Sequence, residues 1–433
     1  MFNIITNLPN HLKVTISAWV ARGIIAFTNL IAIRFLLPYL GTESYAVYLV
    51  LLSFTSWCAL TDFGIGTALQ NYISEFRVKK LDYQPYINSA FQIIILFTAI
   101  AFILSFLLYH PIQSFILKKY ISLLNLQTIN VVLASLILLI LVGVVNISTK
   151  IYYALHKGTV PNILTSIAYI ISFCAMLVIV NTQSESNKIL KIIICYTLPQ
   201  ILLIGFLFAK IFKNSIVEIF KINRDILRNL FARAVGFGGL GVTWLLVYES
   251  DYFIMAKTVG PEDIAVYSIF MKIFLAALGI NGCLLTAAWP VFAELYHSGQ
   301  TEEVKIKLKR YLTFGILLLT SVIILSFCFK SFIFSFLLSG INYNLSYTFF
   351  LLSIVYFSIR LFNDTYATFL QSVNSLKILF VYVSVQACIC IILQYALSIK
   401  YGINGIILGL LISYVLVGAW LAPYKSYKLL KSK

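Results

Sequence analysis

This 433-residue chain reads as an all-α polytopic membrane protein, with twelve transmembrane helices in two parallel-repeat six-helix lobes around a central cavity. Three features carry that expectation. Charged residues make up 11% of the chain, against about 25% in an ordinary soluble domain, and 61% of residues are apolar, so no water-soluble surface can be assembled. Apolar stretches of about 20 residues, the length a helix needs to cross hydrocarbon, recur along the whole chain. Gly41 to Glu75 also reappears without a gap as Gly260 to Glu294, matching at Gly41/Gly260, Glu43/Glu262, Ala46/Ala265, Val47/Val266, Tyr48/Tyr267, Thr67/Thr286, Ala68/Ala287 and Glu75/Glu294. Self-similarity at that spacing marks duplication of a large unit, an arrangement common in transporters.

The expected spans lie at 12–37, 44–64, 87–109, 129–151, 161–180, 190–211, 236–257, 264–290, 311–337, 346–370, 376–398 and 402–422. They are continuously apolar where barrel strands would alternate, so helices must satisfy the backbone. The first contains Arg22 and Arg34 and has no small-residue cleavage site after an uncharged core, which makes it a retained span rather than a signal peptide. The second closes on Gly64 and Gly66, and the seventh opens on Gly236, Gly238, Gly239 and Gly241; small residues there allow close approach and bending. Pro290 is expected to break or kink the inner end of the eighth, so Gly64, Gly66 and Pro290 are the candidate hinge positions. Between the sixth and seventh spans, Lys221, Arg224, Arg228 and Arg233 interleave with Ile219, Ile222, Ile226 and Leu230 at near-helical spacing. That pattern fits an amphipathic helix on the inner membrane face. The expected organisation is a lobe over 1–214, a basic linker over 215–234 and a second lobe over 235–433. An even number of spans per lobe leaves both halves in the same orientation, hence a parallel repeat.

A net charge of +17 invites a nucleic-acid reading until the basic residues are sorted by membrane side. With the N-terminus inside, 21 of the 32 Lys and Arg fall in one set of loops and tails and seven in the other; Arg22, Arg34, Lys272 and Arg360 lie within spans. The excess is a topology signal that puts both termini in the cytoplasm, and no nucleic-acid partner is expected. Seven cysteines in apolar segments and four scattered histidines lack metal-ligand spacing, so neither metal nor cofactor is expected. The sequence also lacks a phosphate-binding glycine loop with Lys-Ser/Thr and a nucleophile elbow, which argues against an enzyme or an ATP-driven pump.

An ionisable group at mid-bilayer costs about 2.5 to 3.5 kcal/mol on insertion scales unless it faces protein or water, so the retained ones are informative. Arg22, with Thr15 and Asn29 one heptad to either side, forms a polar stripe on the first span, suited to an anion or to pairing with Asp62. Arg34 is near enough to the outer end to snorkel. Arg360 and Asp364, at i and i+4, can neutralise one another. Lys272 has no acid within four residues, which points to a cavity or to a partner on the preceding span, where Glu249 and Asp251 stand about 200° apart. Arg22, Asn29, Arg34, Lys272 and Arg360 are thus the candidate substrate-binding residues. Asp62, Glu249, Asp251 and Asp364 are the candidates for ion coupling or ion pairing.

The run Leu60-Thr61-Asp62-Phe63-Gly64-Ile65-Gly66-Thr67-Ala68-Leu69, followed by Asn71-Tyr72-Ile73-Ser74, resembles the Asp-Phe-Gly signature of polysaccharide exporters. Asp251 with Gly260-Pro261-Glu262 and Ala265-Val266-Tyr267, and the final Gly402-Ile403-Asn404-Gly405, are similar to the same group. With twelve spans over the whole chain, it resembles the O-antigen unit flippases of the multidrug/oligosaccharidyl-lipid/polysaccharide exporter superfamily. Asn71 stands where members often carry Arg. The resemblance implies movement of an undecaprenyl-diphosphate-linked oligosaccharide from the inner to the outer leaflet of a bacterial inner membrane. It also implies a cationic path for the headgroup, contact with membrane lipids, and polysaccharide polymerase and chain-length machinery as candidate partners. The rival readings are a drug/cation antiporter of the same superfamily, for which acidic span residues would be expected, and an O-antigen polymerase or ligase, for which a large outer loop would be expected.

Overall fold

The computed structural model describes residues 10–125, 130–182, 186–217, 223–337, 346–373 and 375–431. Among them every regular element is helical. The first, α1 (Asn10–Cys58), is far longer than one crossing needs and takes in the first expected span and most of the second as two helices meeting at a bend. It turns at Gly41, whose φ of 76° and ψ of 163° suit glycine, and Pro38 precedes the bend. Gly41 is the first residue of the duplicated segment, and its counterpart Gly260 immediately precedes another helix start, at Pro261.

After α1 come α2 (Ile65–Val78), α3 (Gln84–Pro111), a short α4 (Ile121–Asn125), α5 (Val131–Ala154), α6 (Thr159–Asn181) and α7 (Lys188–Val217). Next are α8 (Arg224–Tyr248), α9 (Ser250–Thr258), α10 (Pro261–His297), α11 (Thr301–Cys328), α12 (Lys330–Leu337), α13 (Tyr347–Ser372), α14 (Leu376–Ser413) and α15 (Ala419–Lys431). A second glycine of positive φ, Gly402 at 57°, bends α14 where the eleventh expected span gives way to the twelfth. Among the described residues, nine helical stretches are long and apolar enough to cross a membrane. Two of them, Ile16–Cys58 and Lys377–Lys431, bend at those glycines and are long enough for two crossings each, and the 26-residue α13 occupies the tenth expected span.

Start signals are local where they occur. The Asn130 side chain accepts the Leu133 amide at 3.1 Å to open α5, and Ser346 accepts that of Phe349 at 3.3 Å to open α13. The chain forms two compact units, Met1–Val242 and Thr243–Lys433, so the division falls inside α8. Of the expected linker, 218–222 lie outside the described residues, and Arg224 onward already belongs to α8. There Leu230 and Ala234 are buried in the N-terminal unit's core beside Leu69, Ile73 and Ile151, while Arg224, Arg228 and Arg233 stay exposed. The interleaved apolar and basic pattern thus becomes one buried and one exposed face. The N-terminal core also stacks Phe91 on Phe212 at 5.1 Å. The C-terminal unit is built on rings: Phe270 meets Phe349 and Phe350, and Phe274 meets Phe357.

Candidate functional site

In the N-terminal unit the duplicated segment leaves helical geometry between Cys58 and Ile65, with Phe63 at φ 44° and Gly64 at φ 85°. Asp62, 1% exposed, holds this turn together. Its carboxylate accepts the Gly64 amide at 3.0 Å and the Gly66 amide at 2.8 Å, and the Lys150 ammonium of α5 stands 3.3 Å away. The carboxylate therefore caps α2, where the first amides lack helical partners. Its cation is Lys150, not Arg22. A methyl group on Gly64 would meet Ala234 O and Gly238 N at 2.7 Å, and one on Gly66 would meet Asp62 Oδ2 at 2.7 Å, so both glycines sit at close contacts. At the far end of α2, Arg233 lies 4.0 Å over the Tyr72 ring and 3.7 Å from Glu75, which also pairs with Lys79 at 2.8 Å.

The counterpart of Asp62 in the second copy is Asn281, and there the chain stays helical from Pro261 to His297, a stretch that includes position 290. Asn281 is 2% exposed and its amide oxygen has no hydrogen-bond partner among the described residues.

The polar centre of the C-terminal unit forms around Arg360. Helix α8 ends at Tyr248, Glu249 departs from helical geometry with φ −121° and ψ 0°, and α9 restarts at Ser250. From this break Tyr248 offers its ring to the Arg360 guanidinium, 3.9 Å from the centroid. Arg360 donates to the Tyr356 hydroxyl at 3.3 Å, and its Nε lies 3.7 Å from Asp364 Oδ2. The Tyr248 hydroxyl donates to Asp364 Oδ1 at 3.4 Å and accepts from Tyr414 at 2.7 Å. The i,i+4 pair expected within α13 is therefore formed, inside a cage of three tyrosines. Asp251 is 3% exposed and accepts the Tyr267 hydroxyl at 2.6 Å and the Tyr252 amide at 2.8 Å. Beside it, Ser250 donates to Gln394 Oε1 at 3.2 Å, while Gln394 Nε2 has no partner among the described residues.

The other candidates lie apart. Arg22 and Arg34 are exposed on α1 and Asn29 between them is half-buried; the side chain of Thr15 is outside those described. Glu249 is half-buried at the α8–α9 break. Lys272 is half-buried on α10, and among the described residues no carboxylate comes within ion-pair distance of it, Glu249 and Asp251 included. The residues that sequence reasoning passes over are the tyrosines. Of these, Tyr267 carried a signal, as an identity in the repeat, whereas Tyr248, Tyr356 and Tyr414 read as ordinary membrane aromatics. Chemically the C-terminal unit places a cation paired with one carboxylate, a second buried carboxylate and a set of tyrosine hydroxyls in its interior.

Comparison with known proteins gives a consistent result. The family described as "Polysaccharide biosynthesis protein" matches residues 12–296, and the MatE family matches 241–396. A Salmonella typhi protein named as an O-antigen transporter is 32% identical over 428 residues, covering 98% of either chain. Among solved structures, an inward-facing multidrug resistance MATE family transporter of the MOP superfamily superposes with a TM-score of 0.66 at 13% identity, covering 96% of this chain and 99% of the other. The lipid II flippase MurJ, in an inward closed conformation, superposes with a TM-score of 0.62 at 15% identity, covering 96% and 89%. At these identities the two structures speak to the fold alone.

Proposed function

Because this chain belongs to the polysaccharide biosynthesis protein family, within the polysaccharide branch of the multidrug/oligosaccharidyl-lipid/polysaccharide exporter superfamily, we propose that it flips a lipid-linked oligosaccharide across a bacterial inner membrane. The cargo is an undecaprenyl-diphosphate-linked O-antigen repeat unit, carried from inner to outer leaflet by alternating access of lobes 1–214 and 235–433. Both termini lie in the cytoplasm, and the exposed basic face of Arg224, Arg228 and Arg233 at the start of α8 lies on the inner side.

The observation that carries this reading is the charge inside the spans. Arg22, Arg34 and Lys272 stand in membrane helices, as does the fourth span cation, Arg360, which is held by a tyrosine cage and a carboxylate. A diphosphate cannot enter hydrocarbon unaided, and guanidinium and ammonium donors replace its hydration shell. The membrane potential favours the same direction: with the interior negative, two negative charges leaving through 100 mV gain roughly 4 to 5 kcal/mol. Asp251 and Asp364 are the groups through which proton or sodium antiport would add to this drive. Gly64, Gly66 and Pro290 are the proposed hinge positions, and the polymerase and chain-length machinery the proposed partners.

The test is transfer of a labelled undecaprenyl-diphosphate oligosaccharide across proteoliposome membranes under an imposed potential. Transfer that needs the protein and collapses in Arg22→Ala supports the reading. Absence of transfer with several lipid-linked sugars, together with export of soluble cationic drugs, overturns it.

A further inference from the structure

A groove of about 870 Å³ in the C-terminal unit takes no part in the function proposed above. It is walled by the first turns of α11, the second half of α13 and nearly all of α15, so the start of one helix and the ends of two others meet at a single end of the unit. That end is strongly basic, with Lys305, Lys307, Lys309 and Arg310 on α11 and Lys425, Lys428 and Lys431 on α15, against Glu302 and Glu303.

Lys305 and Lys309 both line the groove, as their i,i+4 spacing requires. Lys305 is tied to Glu302 at 2.6 Å, whereas among the described residues no carboxylate is within ion-pair distance of Lys309. Below the lysines the lining turns apolar, with Leu312, Phe362 and the Trp420 ring. Trp420 is 68% exposed, and its indole N–H is already spent on Val415 O at 2.7 Å, so the ring faces outward as hydrocarbon. Tyr424, 65% exposed and one helical turn on, extends the same aromatic edge, the composition found at membrane-water interfaces. The two smaller grooves on the N-terminal unit, of about 490 and 430 Å³, carry one cation each, Arg228 and Lys13.

We propose that this groove is a binding site for an anionic glycerophospholipid, its headgroup phosphate on Lys305 and Lys309 and an acyl chain along Leu312, Phe362 and Trp420. Two ammonium groups above an apolar trough fit a molecule that joins a phosphate to a long hydrocarbon. A zwitterionic lipid would bring its own cation against them. Basic recesses between membrane helices select anionic headgroups by the same physics.

Trp420 provides the readout. The full-length protein in mixed micelles is titrated with phosphatidylglycerol or phosphatidylcholine brominated on the acyl chains, and the Trp420 component of the fluorescence is isolated by difference from Trp420→Phe. Quenching by the anionic lipid is expected at about five- to thirtyfold lower mole fraction, the effect of one to two lysines at a membrane surface. Lys305→Gln/Lys309→Gln is expected to erase that preference and leave quenching by phosphatidylcholine unchanged, which also shows that the double variant is folded. Equal quenching by both lipids, or a preference that survives the double substitution, overturns the site. Displacement of the brominated phosphatidylglycerol by an undecaprenyl-diphosphate lipid at lower mole fraction would also overturn it, assigning the groove to the cargo instead.

Discussion

Removing Arg360 tests whether the C-terminal centre is a structural clasp or a free cationic contact. Its guanidinium is 3.7 Å from Asp364, 3.9 Å from the Tyr248 centroid and 3.3 Å from the Tyr356 hydroxyl, with its side chain only 13% exposed. At an effective dielectric of 20 the ion pair alone is worth roughly 4 to 5 kcal/mol of Coulomb energy, before desolvation takes back a large part. The ring contact adds about 1 to 2 kcal/mol in a dry setting. Arg360→Gln is therefore expected to cost about 3 kcal/mol, since it leaves the buried Asp364 carboxylate without its counter-ion. For a unit the size of Thr243–Lys433 that corresponds to a fall of roughly 6 to 12 °C in the melting midpoint of the purified protein in detergent. The double variant Arg360→Gln/Asp364→Asn should be destabilised less than the sum of the two single ones, giving a coupling of about 1 to 3 kcal/mol. Additive single variants, or an Arg360→Gln protein that melts like the parent, would refute the clasp and release Arg360 to the substrate path.

Gly238→Ala should destabilise by about 1 to 3 kcal/mol or more, because the added methyl lands 2.5 Å from the Phe63 carbonyl oxygen, where no side chain can yield. Gly236→Ala, two residues earlier with nothing within 4 Å, should be neutral or stabilising by up to about 1 kcal/mol; paired melting curves separate the two. Asp62→Asn should cost about 1 to 3 kcal/mol in the same assay, since an NH2 group that cannot accept replaces one of the two oxygens that take the Gly64 and Gly66 amides, and Lys150 loses its counter-ion. The Glu75 carboxyl is held below its usual range by the hydrogen bond and charge of Lys79, and then by Arg233. A lowered folded-state value contributes stability above the unfolded value of about 4.3 and loses it as pH falls through the folded one, so acidification below about pH 4.3 should lower the midpoint more in the parent than in Glu75→Gln. Equal acid sensitivity would dismiss that contribution.

Span length was legible because hydrocarbon thickness fixes how many apolar residues a crossing needs, and every expected span has its helix. The Arg360–Asp364 pair was legible for a similarly local reason, as four residues bring two side chains together on any helix. The tyrosine cage was not, since Tyr248, Tyr356 and Tyr414 come from three separate elements and nothing in their sequence neighbourhoods marks them as partners. Asp62 illustrates a misweighted signal. An Asp two residues before a glycine is also the pattern of a side chain that bonds its own backbone, a use that needs no substrate or coupling ion. Lys150 sorts with the inner-loop cations by sequence, yet its stem reaches back from the end of α5 to that carboxylate. Lys272 fails as half of an ion pair because same-helix spacing and neighbouring-span proximity do not fix rotational facing, and α9 directs Asp251 to Tyr267 instead.

The contrast between Asp62 and Asn281 has a consequence for how the two halves can be compared. One ancestral stretch now exists as a capped turn in the first half and as a continuous rod in the second, and the chemical difference at the matched position is a single oxygen exchanged for an NH2 group. Beyond this point Thr67 stands in the first turn of a new helix, whereas its counterpart at position 286 lies inside a continuous one. Mutational tolerance measured in one half therefore does not transfer to the other: the amide already resident at 281 is the very change that should undo the turn at 62.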